Sequence, residues 1–120
     1  MFGIEGHIAQ FNDKIIALSV HDQETGREIN IHADISMHPA STIKVPIMFV
    51  MYRQAEIGSI SLDDPVLIAN QFTSLADGSS YALDAADDSD KSLYEKIGQH
   101  ETIGELTRLM IVMSSNLATN

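Results

Sequence analysis

Ser41-Thr42-Ile43-Lys44 sets a serine and a lysine three residues apart, just ahead of an apolar run at 45–51. At a helix start, positions i and i+3 share a face, with Cβ atoms about 5–6 Å apart. A serine hydroxyl is a weak nucleophile until a base sits beside it, and a lysine is such a base only when its pKa falls well below the free value of about 10.4. Burying the ammonium has that effect. The free N–H groups of a helix N-terminus add a place for a developing oxyanion. These four residues can therefore hold nucleophile, base and anion site together. The spacing alone is weak evidence. With twelve Ser and four Lys in 120 residues, chance supplies a Ser-x-x-Lys about 0.4 times per chain.

A second polar group, Ser114-Ser115-Asn116, follows another apolar segment 73 residues after Ser41. Such residues favour caps and turns, so a helix end followed by a new helix start explains them equally well. Ser-x-Asn is also expected by chance about 0.5 times in this composition. In order, each behind or ahead of a buried helix, the two groups gain meaning that neither has alone.

The elements that position them follow from periodicity. Phe2, Ile4, Ile8 and Phe11 have the spacing of a short amphipathic helix. Residues 15–21 and 28–33 read as an antiparallel hairpin closed near Gly26. Pro39 biases His38 away from helix, so the Ser41 helix starts after it. Pro46 would cost about 3 kcal/mol inside a helix, which places it in the first turn. Gly58 ends that helix. Residues 70–100 are polar, with an acidic stretch at 84–90 that reads as a solvated loop, and 93–97 as one or two helical turns. Thr102-Ile103-Gly104-Glu105 is a capping box. It opens a helix with Ile103, Leu106, Met110 and Met113 on one face and Leu109, Ile111 and Val112 widening it, hence buried nearly all round. Met48, Met51, Met110 and Met113 read as core filling.

Composition narrows the function classes. A net charge of −10 speaks against nucleic acid and anionic lipid, which need a basic surface. No apolar run approaches a membrane span of roughly 18–20 residues. The absence of cysteine excludes disulfides, thiolate zinc and cysteine nucleophiles. The five histidines show no i, i+4 metal pair and read as surface residues. A calcium loop from Asp88 fails, because Leu93 stands where glycine is needed and Gln99 where a bidentate glutamate is needed. No metal or cofactor is expected. The N-terminus lacks the pattern of a signal peptide, with Glu5 and His7 interrupting the apolar residues. Either the protein stays inside the cell, or an export signal is absent from this version of the chain.

With both motifs in order, the chain resembles the class A β-lactamases and the wider penicillin-recognising serine hydrolases. Five stretches carry the likeness: Thr25-Gly26-Arg27-Glu28, His38-Pro39-Ala40-Ser41-Thr42-Ile43-Lys44, Gly58-Ser59-Ile60-Ser61-Leu62-Asp63-Asp64-Pro65, Thr102-Ile103-Gly104-Glu105-Leu106, and Met113-Ser114-Ser115-Asn116-Leu117-Ala118-Thr119-Asn120. The resemblance implies an α/β (α+β) fold: an N-terminal helix and β-hairpin followed by a mostly helical region, a partial β-lactamase/transpeptidase-like domain. Residues 1–120 would be a single truncated domain, its N-terminal half.

By the same resemblance, Ser41 would be the acylated nucleophile, Lys44 its proton partner, Ser114 a relay to the leaving nitrogen, and Asn116 the holder of the substrate's amide side chain. The Ser41 N–H would be half of the oxyanion hole. The substrate would be a small molecule, a β-lactam or a peptidoglycan-like peptide, met in the periplasm or outside the cell. Ser115 departs from the family's aspartate at the middle of the second motif. A deacylating glutamate, a Lys-Thr-Gly strand and three of five sheet strands are not in these 120 residues. Three readings follow: a β-lactamase working through an acyl-serine; a D-Ala-D-Ala peptidase or esterase of the same family; and an inactive half-domain that self-associates through its uncovered core and hairpin edge. Whether Lys44 or the glutamate takes the acylation proton stays open at this point.

Overall fold

The computed structural model describes residues 3–120. The chain divides into two compact units, Met1–His38 and Pro39–Asn120. In the first, helix α1 (Ile4–Ile8) is only five residues long. Gly3 before it provides no side-chain cap, so the amphipathic spacing yields little more than one turn. Phe2, the first apolar position of that spacing, lies outside the described residues. The expected hairpin is present as β1 (Leu18–His21) and β2 (Glu28–Ile31), paired antiparallel with Leu18 opposite Ile31 and His21 opposite Glu28. Its register is reinforced by a Ser19–Asn30 side-chain bond of 2.9 Å and a His21–Glu28 contact of 3.0 Å. The Asp22 carboxylate accepts the N–H groups of Glu24 and Thr25 and closes the turn.

The second unit begins with a 3-10 turn, Ala40–Ile43, that runs into helix α2 (Lys44–Glu56). Pro46 is the third residue of α2, in the first turn, where losing an N–H costs least. Gly58 follows the helix at φ 74°, a left-handed conformation that suits glycine. The apolar run at 45–51 predicts a buried helix, and the structure corrects this. Lys44 is the buried residue of α2, whereas Phe49 is 70% exposed and Val45 and Val50 are also exposed. The charged end is covered because a loop wraps it; of the apolar run, Ile47, Met48 and Met51 are half-buried and the others exposed.

Two short ladders follow that periodicity does not reveal. Strand β3 (Pro65–Leu67) pairs antiparallel with β6 (His100–Thr102), and β4 (Phe72–Thr73) with β5 (Ser80–Tyr81). Strands of two or three residues are too short to show alternation. The side chain of Asn70 acts as a further rung, donating to the Leu83 carbonyl and accepting the Leu83 N–H. Residues Ser92–Lys96 form a 3-10 helix, as the apolar positions there suggest.

Helix α3 (Ile103–Val112) is capped by Thr102, whose hydroxyl accepts the Glu105 N–H at 3.1 Å. The reciprocal half of the capping box does not form. The Glu105 carboxylate turns to Arg108 in a two-pronged pair at 2.7 Å, a stronger partner than one backbone N–H. Gly104 packs on the turn before β3, where an added Cβ would meet the Leu62 carbonyl at 3.2 Å. The helix is not buried all round. Thr107, Leu109 and Met110 are buried, while Arg108, Val112 and Met113 are exposed.

Ile68, Leu93, Leu109 and Leu117 form the core, with Phe72, Leu83, Tyr94 and Leu106 packed on it. An apolar pocket of about 290 Å³ is lined by Ile47, Met51, Leu93, Leu106, Met110 and Leu117, among others. Of the four methionines read as core filling, Met110 is 2% exposed and Met113 is 44% exposed. Among the described residues, no helix is long and apolar enough to cross a membrane.

Candidate active site

Ala40, the residue before the serine, lies in the left-handed region at φ 46°. For a non-glycine residue this costs about 1–3 kcal/mol and persists only where the surroundings hold it. Ser41 comes next, exposed, as the second residue of the 3-10 turn. Its N–H belongs to the first-turn donors that have no acceptor within the helix. One turn on, Lys44 is only 5% exposed.

The Lys44 ammonium has three N–H donors, and a single loop supplies three acceptors. Nζ donates to the Ser114 carbonyl at 2.6 Å, to Ser114 Oγ at 3.1 Å and to Asn116 Oδ1 at 2.9 Å. All three are neutral oxygens. Ser114 Oγ is also hydrogen-bonded to Ser41 Oγ at 3.1 Å. The i, i+3 spacing suggests a direct link between Ser41 and Lys44; the hydrogen bond that reaches Ser41 comes from Ser114 instead. The four residues expected from sequence thus converge, in the order Ser41, Ser114, Lys44, Asn116.

That loop has its shape for local reasons. After α3, Ser114 takes φ 56° and stops the helix, as glycine commonly does. The Ser115 N–H turns back to the Leu109 carbonyl at 3.3 Å. Ser115 is fully buried, and its hydroxyl accepts the Ala118 N–H. The Ser114 carbonyl and the Asn116 side chain both reach Lys44.

A family model described as the Beta-lactamase enzyme family matches residues 4–120. The chain belongs to this family. It is a hydrolase of β-lactamase type, and a small-molecule substrate follows from that membership. No curated protein matches the sequence.

In this β-lactamase-family chain, sequence reasoning missed the residues that support the loop. The acidic stretch read as solvated contains two buried carboxylates, Asp88 and Asp90, each 5% exposed. Asp88 accepts the N–H of Asn116 on both oxygens at 2.9 and 3.0 Å, the Leu117 N–H at 2.9 Å, the Asp90 N–H at 3.1 Å and the Tyr94 hydroxyl at 2.9 Å. Burial pushes the Asp88 carboxyl up, but these donors together outweigh it and hold the carboxyl below its ordinary range. Burial, and then the bond to the Asp88 carboxylate, push the Tyr94 hydroxyl up to about 12. The signal available in sequence was the apolar pair Leu93-Tyr94, separated from Asp88-Ser89-Asp90 by Lys91 and Ser92 alone, which draws the acidic residues toward the core.

Proposed function

We propose that this β-lactamase-family enzyme opens β-lactam rings through an acyl-serine on Ser41. The observation that carries the reading is the hydrogen-bonded chain from an exposed Ser41 hydroxyl, through Ser114, to a buried Lys44. Ser41 Oγ attacks the lactam carbonyl carbon; the Oγ–C bond forms and the ring C–N bond breaks. The Ser41 proton passes to the Ser114 hydroxyl as that hydroxyl gives its own proton to the ring nitrogen, with the Lys44 ammonium holding Ser114 Oγ in line. The Ser41 N–H serves as one oxyanion donor. With its Oδ1 engaged by Lys44, Asn116 keeps its Nδ2 for a carbonyl of the substrate's amide side chain. Water then hydrolyses the ester.

Ser115 favours a second reading, a D-Ala-D-Ala peptidase or esterase, because it is neutral where class A β-lactamases carry aspartate. Intact-mass analysis of the full-length gene product mixed with penicillin separates the two. An adduct on Ser41 that forms and decays within the catalytic cycle indicates a β-lactamase. One that persists indicates the peptidase or esterase. No adduct, or one retained in Ser41→Ala, contradicts both. Either activity belongs in the periplasm or outside the cell, where these substrates occur, and cell fractionation tests that placement.

A further inference from the structure

We propose that Asp88 is a positioning residue for acylation: it holds the backbone that presents Ser114 and Asn116 to Lys44. The inference rests on the acyl-serine reading for its catalytic consequence, and on geometry alone for the anchoring. Asp88 touches neither Ser41 nor Lys44. Its two oxygens take the N–H groups of Asn116 and Leu117, at and directly after the end of the Ser114–Asn116 stretch that supplies all three Lys44 acceptors.

The loop needs an outside anchor. Ser114 sits in a left-handed conformation unfavourable for serine, and Ser115 is neutral, its side chain directed to Ala118. Among the described residues, Asp88 is the carboxylate bonded to this loop, and it comes from 28 residues earlier in the chain. Asp88 is in turn held by Tyr94, whose hydroxyl reaches the same oxygen that takes the Leu117 N–H. Tyr94 packs against the core cluster of Ile68, Leu93, Leu109 and Leu117. The anchor thus runs from the core, through Tyr94 and Asp88, to the Ser114–Asn116 backbone.

The test uses the full-length gene product with Asp88→Asn and Tyr94→Phe, each alone and combined with Ser114→Ala. Two measurements are made: the second-order rate of penicillin acylation, and amide hydrogen exchange over residues 114–120. Asp88→Asn is expected to speed exchange across 114–120 and slow acylation at least tenfold. Most of that loss should vanish when Ser114 is already alanine, because the effect runs through the same loop. A purely structural role would add to Ser114→Ala undiminished. Tyr94→Phe, the milder change, is expected to slow acylation two- to fivefold with the same non-additivity, and it decides the matter if Asp88→Asn does not fold. Unchanged exchange in the folded variant, acylation within twofold of wild type, or full additivity overturns the proposal. If the wild-type protein forms no adduct, the acyl-serine reading fails on its own, and hydrogen exchange alone then decides whether Asp88 anchors the loop.

Discussion

Ser114→Ala separates the proton route from the fold. The Ser114 hydroxyl accepts from Lys44 Nζ at 3.1 Å and is bonded to Ser41 Oγ at 3.1 Å. Alanine removes both links. Lys44 keeps the Ser114 carbonyl at 2.6 Å and Asn116 Oδ1 at 2.9 Å, so the charge is not stranded. A hydrogen bond to a charged group contributes about 1.5–3 kcal/mol, and with two acceptors retained at a half-buried site the loss should fall near the low end, about 1–2 kcal/mol. Native domains have about 5–15 kcal/mol in hand, so the variant should fold. Losing a positioned proton carrier slows a reaction by about 10²–10⁴, or roughly 2.7–5.4 kcal/mol on the barrier. The predicted outcome is a modest drop in melting temperature with a loss of at least a hundredfold in the penicillin acylation rate, read by quenched intact mass on the full-length gene product. Acylation within about threefold of wild type would refute the route through Ser114.

Three further outcomes follow from the same structure. Asp88 has a folded-state pKa below its ordinary value, so its contribution to stability is complete above about pH 4 and declines as pH falls through the folded value. The stability gap between wild type and Asp88→Asn should therefore narrow in acid, and urea unfolding at pH 7 and pH 3 measures it; a gap that widens in acid contradicts the assigned sign. Leu93 is fully buried in the core cluster, so Leu93→Ala should cost about 2–5 kcal/mol in denaturant unfolding, and a cost below 1 kcal/mol would place the core elsewhere. Asp90→Asn should stay within about 1 kcal/mol of wild type, because Asp90 Oδ2 is buried with no hydrogen-bond partner among the described residues while Oδ1 keeps its bonds from Ser92. A loss as large as that of Asp88→Asn would show that this charge has an unrecognised partner.

The parts of the molecule readable from sequence are those governed by local rules. The 18–31 hairpin, the Gly58 stop, the Thr102 cap and the stop at Ser114 each follow from residue type at a turn or helix end. Ser41, Lys44, Ser114 and Asn116 stand out as candidates because their motifs are short and ordered, and the structure brings the four together. Which atom touches which was not: the i, i+3 rule links Ser41 to Lys44, whereas a left-handed serine 70 residues from the lysine comes between them. Burial was read least well. Apolar periodicity marks a face that can be buried, but whether a neighbour covers Phe49 or Val112 depends on tertiary packing. In the opposite direction, Asp88 looked like one more charge in an acidic run. It is buried because Asn116 and Leu117, 28 and 29 residues away, bring the donors that make burial tolerable.

The proposed reaction stands or falls on acylation of Ser41 by a β-lactam. Intact-mass measurement of the full-length gene product after brief exposure to penicillin tests it most directly, with peptide mapping of the adduct and Ser41→Ala as control. The expected result is one covalent penicilloyl group on Ser41, absent from the alanine variant. An unmodified wild-type protein, or an adduct that persists without Ser41, would contradict it.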